Sequence, residues 1–271
     1  MSGYFPVPGT LCSPSSAVFT LTLLHRWTLS RDGRPLRVAR PAQRLTALIA
    51  LAGSHEPQYL AGRLWPESSE SQAGANLRST LSRLHSSSIP IVHRDQGLLA
   101  LDSGLAVDVH DFCPSADAVI RAPETALSDS TVVQLVQAGD LLTGWYDDWV
   151  LTWRERLRQL RMHALEVAAM QLAEAGRYSQ ALQAGLVCVD IEPLRESAHR
   201  VVMEVHLQEG NTLEAVRQFR RYRELVRVEL GVEPSPKMAQ LLRSSPCTAG
   251  WNGAAARADR TVHQARVRNR A

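Results

Sequence analysis

The stretch Gln72-Ala73-Gly74-Ala75-Asn76-Leu77-Arg78-Ser79-Thr80-Leu81-Ser82-Arg83-Leu84 sorts into two faces when wound as a helix. At about 100° per residue, Ala73, Leu77, Leu81 and Leu84 form one apolar stripe. The opposite arc collects Gln72, Asn76, Arg78, Ser79, Ser82, Arg83 and Ser86, and no acid follows Glu70 on the helix predicted over residues 68–86. Arginine can fork onto guanine, asparagine and glutamine onto adenine, and serine can reach phosphate. A merely solvated helix face mixes both signs of charge, and this one does not. It reads as a surface for duplex DNA.

The flanking segments agree. Upstream, helical periodicity runs from Pro41 to Ala52, and a short helix over Gln58–Trp65 is stopped by Pro66. Trp65 reads as a core residue beside Leu60 and Leu64. Downstream, Ile89–Val92 and Leu98–Leu101 flank Asp95-Gln96-Gly97, a hairpin. Before the helices, Val18–Leu24 alternates as a strand. The turn Arg31-Asp32-Gly33-Arg34 follows, suited to a hairpin because Asp-Gly supplies the positive φ such turns need, with a second strand near Pro35–Val38. Strands, three helices and a hairpin, in that order, make a winged helix-turn-helix. Arg94 then lies in the wing. Arg40 and Arg44 at the first helix and Arg63 on the second are candidate phosphate clamps.

Charge follows the same division. From Arg26 to Asp95 the chain carries ten arginines against five acids, whereas the net charge of all 271 residues is only +3. From Arg243 to Ala271 six arginines face Asp259 alone, so the middle has an acidic excess. A basic head on an acidic body fits a polyanion-binding module joined to something that binds no polyanion.

The second half reads as helices, near 115–122, 129–141, 152–175, 178–190, 195–209 and 212–230, the last ended by Gly231. Ala173-Glu-Ala-Gly176-Arg-Tyr-Ser-Gln-Ala181-Leu182 aligns with Leu207-Gln-Glu-Gly210-Asn-Thr-Leu-Glu-Ala215-Val216 at an offset of 34 residues. That is the period of tetratricopeptide units, whose helix pairs stack and bury one another's apolar faces. In the second copy Arg227 stands where Pro193 stands in the first. Asp147 and Asp148, between Trp145 and Trp149, read as a helix start packed by aromatics.

The fold expected is mainly α with a small β component: a winged helix-turn-helix followed by an all-helical tetratricopeptide-like domain. Its parts are a flexible arm over 1–17, a DNA-binding winged helix over 18–105, the helical domain over 106–243 and a disordered basic tail over 244–271. Cys12, Cys113, Cys188 and Cys247 are scattered without a CxxC pair, which suggests isolated thiols. Met1–Ser16 has no basic region followed by an apolar core, and no apolar run reaches the ~20 residues of a membrane span. A cytoplasmic protein without a membrane partner is expected. No HExxH, GxSxG, metal-spaced His/Cys cluster or glycine-rich phosphate loop occurs, and the single lysine, Lys237, follows Pro236. No enzyme, cofactor or metal site is therefore expected, and Asp108-Val109-His110-Asp111 reads as closing the winged helix. A tetratricopeptide-type interaction module without specific DNA reading is the rival; it leaves the arginine excess of 18–101 unexplained.

Several runs carry a family resemblance. Leu64-Trp65-Pro66-Glu67 with Gln72–Leu84, Val107-Asp108-Val109-His110-Asp111-Phe112, Gly139-Asp140-Leu141-Leu142, Trp145-Tyr146-Asp147-Asp148-Trp149-Val150, Pro193-Leu194-Arg195-Glu196-Ser197-Ala198-His199 and Glu229-Leu230-Gly231-Val232-Glu233-Pro234-Ser235 resemble the Streptomyces antibiotic regulatory protein family. His25-Arg26-Trp27 departs from it, standing where the family often has a Leu-Gly turn. The resemblance implies an OmpR-like winged helix plus a bacterial transcriptional activator domain. It also implies binding to direct repeats near promoters, which suits a homodimer on repeated half-sites, and recruitment of RNA polymerase, often for secondary-metabolite genes.

Overall fold

The computed structural model describes residues 18–244; the readings made for the arm over 1–17 and for the tail from 245 onward, with Cys12 and Cys247, lie outside the described residues. The described chain divides into two compact units. The first comprises residues 18–110 and Leu141–Trp145, and the second residues 111–140 and the chain from Tyr146 on.

In the first unit, β1 (Phe19–Thr22) lies at the centre of a sheet. It pairs antiparallel with β2 (Thr28–Arg31), which pairs with β3 (Arg34–Pro35), and it pairs parallel with β6 (Ala106–Val107), giving the order β3-β2-β1-β6. The alternation expected over 18–24 is present, with Leu21 and Leu23 fully buried and Val18 and Thr20 exposed. The first hairpin needs correcting. The Asp32-Gly33 turn, with φ of 50° and 76°, joins β2 to β3 rather than the first strand to its partner. The strand at 28–31 escapes a periodicity reading because it is only four residues long. Its entry is the bend at His25, held at φ 70°, where the family's usual glycine is absent.

The three helices α1 (Arg40–Ala52), α2 (Pro57–Leu64) and α3 (Glu70–Ser86) follow, with Pro41 and Pro57 in the first turns of α1 and α2. Leu45, Leu48, Leu60, Leu64, Ala73, Leu77 and Leu84 fill the core between them. The wing is β4 (Val92–Asp95) paired with β5 (Leu98–Leu101) across Gln96 and Gly97, both at positive φ. Two backbone bonds between His55 and Leu99 tie this hairpin to the α1–α2 turn. The unit is closed by Asp108, whose carboxylate accepts the backbone N–H groups of Leu23, Leu24 and Val109, while the His110 Nε2 meets the Ala50 carbonyl at 2.7 Å. The late segment 141–145 returns to the same edge: Leu142 N donates to the Leu23 carbonyl and Thr143 N to that of His25.

The second unit takes up α4 (Asp108–Arg121) from residue 111 on, then α5 (Asp129–Gln137), α6 (Asp148–Glu174), α7 (Tyr178–Ile191), α8 (Glu196–Gln208), α9 (Thr212–Leu230) and α10 (Pro236–Ser244). The helix expected near 115–122 instead starts at Asp108 and runs through Pro114. The expectation that α5 continues to 141 fails because 141–145 belongs to the first unit. The helix α10 was not anticipated; Met238 and Leu242 bury against Met203, Tyr222 and Val226.

The 34-residue repeat recurs bond for bond. Arg177 N donates to Leu172 O and Gly176 N to Ala173 O; one period later Asn211 N donates to His206 O and Gly210 N to Leu207 O. This is the paired bonding of a helix end closed by a left-handed glycine, and Gly176 and Gly210 have φ of 74° and 86°. Ala181 and Ala215 are fully buried after each turn. The copies diverge where the residues do. With Pro193 ahead, α7 ends at Ile191, whereas at Arg227 the helix continues to Leu230. Across the α7–α8 packing, a Cβ on Gly185 would stand 2.9 Å from Val202 Cγ2, so the two helices approach as closely as a bare glycine permits. The fold is mainly α with a small β component, a winged helix-turn-helix followed by a tetratricopeptide-like stack.

Candidate nucleic-acid interface

The helix α3 starts where Ser69 Oγ accepts the Gln72 N–H, a standard N-cap. Its buried side is Ala73, Leu77, Thr80 and Leu84. Leu81, expected in the stripe, is half-buried, and Thr80 takes a buried place because its hydroxyl donates to the Asn76 carbonyl at 2.8 Å. On the other side Gln72, Arg78, Ser79, Ser82 and Arg83 are exposed. Asn76 is half-buried and accepts from Gln72 Nε2 at 3.3 Å, so the two amides hold each other one turn apart.

Arg78 and Arg94 come together. Both line a groove of about 660 Å³ between α2, α3 and the wing, with Gln58, Trp65 and Leu81 also in its wall. Trp65 is thus only half-buried, unlike Leu60 and Leu64, because one side of its ring faces this groove. Its role could not be read from its neighbours in sequence. Arg78 lies over Gly74, whose missing side chain leaves room for the guanidinium. Arg63 is exposed in the last turn of α2, where a cation also suits the helix dipole. Arg40 is exposed but stacks at 3.5 Å on the ring of Trp145, and Arg44 is half-buried.

Among the described residues, Arg63, Arg78, Arg83 and Arg94 have no acid within ion-pair distance. In the second unit several arginines are taken up internally. Arg158 bridges Glu155 and Glu192, Arg195 binds Glu166 at 2.8 Å, and Arg161 donates to the Leu135 and Val136 carbonyls. Pairing with the two carboxylates holds the Arg158 guanidinium above its ordinary range, and burial depresses that of Arg161. Cys188 sits in the apolar interior, where burial pushes its thiol up to about 12, the behaviour of an inert core residue. Among the described residues no group of three or more His, Cys, Asp or Glu side chains could hold a metal ion, and no helix is long and apolar enough to cross a membrane.

The chain thus carries a winged helix in series with a tetratricopeptide-like stack. Residues 108–244 match the bacterial transcriptional activator domain, and the chain belongs to that family. It is 30% identical over 251 residues to the regulatory protein AfsR of Streptomyces coelicolor, covering 83% of this chain, and 25% identical over 221 residues to AfsR of Streptomyces griseus. It spans 24% and 23% of the length of those relatives. EmbR of Mycobacterium tuberculosis, solved with a low-affinity phosphopeptide, superposes with a TM-score of 0.65 at 18% identity, covering 84% of this chain and 65% of that one. The resemblance to the Streptomyces antibiotic regulatory proteins is borne out by these likenesses.

Proposed function

We propose that the chain is a sequence-specific DNA-binding activator. The exposed face of α3, with Gln72, Asn76, Arg78, Ser79, Ser82 and Arg83, enters the major groove. Arg94 of the wing and Arg40, Arg44 and Arg63 hold phosphates. The observation that carries this reading is the set of arginines on α2, α3 and β4 with no acid among the described residues to satisfy them. Arg40 keeps its charge while stacked on Trp145, since a cation over an aromatic face remains a cation. On this reading residues 18–105 bind promoter DNA, as a homodimer on repeated half-sites. Residues 106–243 contact RNA polymerase, and secondary-metabolite genes are the targets the family suggests.

The test is binding of the full chain to random-sequence duplex DNA in rising salt. Four to six phosphates neutralised give a log–log slope of roughly −4 to −5, since each contributes about −0.9. Affinity that stays flat between low and high salt would overturn the reading and favour a protein-interaction module without DNA reading.

A further inference from the structure

The second unit has a groove that the DNA reading does not use. It lies between α6, α8 and the α4–α5 turn, with a volume of about 700 Å³, and a smaller recess of about 290 Å³ shares Pro123, Glu124, Gln171 and Glu174 with it. Its floor is apolar: Val167 and Met170 are half-buried and Val201 is 6% exposed. Its rim is acidic. Glu124 and Glu174 are exposed and, among the described residues, have no cation within ion-pair distance. Glu204 lies deeper, 3.8 Å from Arg200, and burial raises its carboxyl. Glu166 is already matched by Arg195 and Ser197. The groove therefore has an excess of acid at its mouth that the unit itself leaves unmatched.

A second feature bears on what could fill it. Gln171 lines both parts of the groove and spends its Nε2 on the Pro123 carbonyl, while its Oε1 is buried with no donor among the described residues. A buried acceptor without a donor is costly. An occupant rich in N–H groups and short of acceptors would relieve it.

We propose that this groove binds an arginine-bearing segment of a separate protein partner, with apolar side chains on the Val167–Met170–Val201 floor and guanidinium groups at Glu124 and Glu174. Charge complementarity selects the occupant. Nucleic acid and acidic peptides are repelled by the same carboxylates, and a purely apolar segment leaves them and Gln171 unanswered. The inference is independent of the DNA reading, because it concerns side chains of the second unit only.

The experiment uses the full chain and a fluorescein-labelled synthetic peptide alternating arginine with valine and leucine, followed by anisotropy. A peptide of the same apolar residues with glutamate for arginine is the control. The basic peptide is expected to bind and the acidic one not to. Glu124→Gln with Glu174→Gln, both at exposed sites, should weaken binding by about threefold to tenfold and flatten its salt dependence, since rim charges are individually modest. Val167→Arg should weaken it further by filling the floor with a like charge, with circular dichroism confirming an unchanged fold. Equal affinity for the two peptides, or no loss in any of these variants, overturns the proposal. Binding that emerges only when residues 245–271 are deleted overturns the assignment to a separate partner, and makes the chain's own arginine-bearing segment the occupant.

Discussion

Several arginines of the helical unit are used differently from those of α2, α3 and the wing. In the helical unit Arg158, Arg177, Arg195, Arg217, Arg223 and Arg227 each hold a carboxylate, and Arg161 caps two carbonyls. In the winged unit Arg31 meets its neighbour Asp32 at 3.9 Å, both exposed, and the arginines of α2, α3 and β4 face no acid among the described residues. The difference teaches that a charge count does not say which cations are open to a polyanion. What matters is whether a cation is already held by its own fold, because an unsatisfied guanidinium can displace the counterions condensed on nucleic-acid phosphates without first breaking an ion pair of its own.

The contrast can be broken most forcefully on α3. Arg78→Glu with Arg83→Glu should lower affinity for every duplex by about a hundredfold or more, since two cations are replaced by groups the phosphates repel. Both sites are exposed, so the melting temperature should hardly move; affinity that survives the double change would show these arginines idle. A finer division follows within the same face. Asn76→Ala should cost ~1–3 kcal/mol on the preferred site and little on random DNA, whereas Arg44→Ala should weaken both alike. Equal losses for both changes, on both DNAs, would cancel the division between base reading and phosphate clamping.

In the helical unit the expected readout is reversed. Glu166→Gln leaves Arg195, with its side chain 22% exposed, beside a neutral amide and should cost about 1–2 kcal/mol of stability while leaving DNA affinity unchanged. Thermal unfolding beside a DNA titration checks both halves. The smallest effect is in acid. The His199 ring is buried, with Nε2 at 2.9 Å from the Pro193 carbonyl and Nδ1 at 2.9 Å from Gln218 Nε2. Burial lowers its pKa below the ordinary 6.5, so the unfolded chain takes up the proton first. Stability is then complete above about pH 6.5 and declines as the pH falls below it toward the folded value. A melting temperature that rises from pH 7 to pH 5.5 would contradict the sign; His199→Gln should flatten the decline.

Much of this was readable from residues alone, and the failures share a cause. The α3 faces, the Asp95-Gln96-Gly97 wing and the 34-residue repeat are local patterns, since periodicity and turn chemistry report on neighbours in sequence. Strand Thr28–Arg31 and strand Ala106–Val107 were missed because they are short and exist through pairing with β1, which no local pattern reveals. Helix α10 was missed because it depends on Met203 and Tyr222 from other helices. Of the candidate site, the exposure of Arg78, Arg83 and Arg94 follows from pattern. The stacking of Arg40 on Trp145, and the place of Trp65 in the groove wall, need the tertiary structure.

The return of Leu141–Trp145 to the first unit has a consequence for the order of synthesis. On a ribosome the chain through His110 emerges with its helices, wing and sheet complete except at one edge, where the Leu23 and His25 carbonyls await Leu142 and Thr143. At about 5–20 residues per second the missing segment arrives roughly 2–7 s later. For that interval the nascent unit carries an open backbone edge and lacks Trp145, a side chain that ends up 5% exposed. Expression fragments cut at residue 110 would hold the chain in that unfinished state permanently, whereas splicing 141–145 back through a short linker should close the edge and raise their solubility.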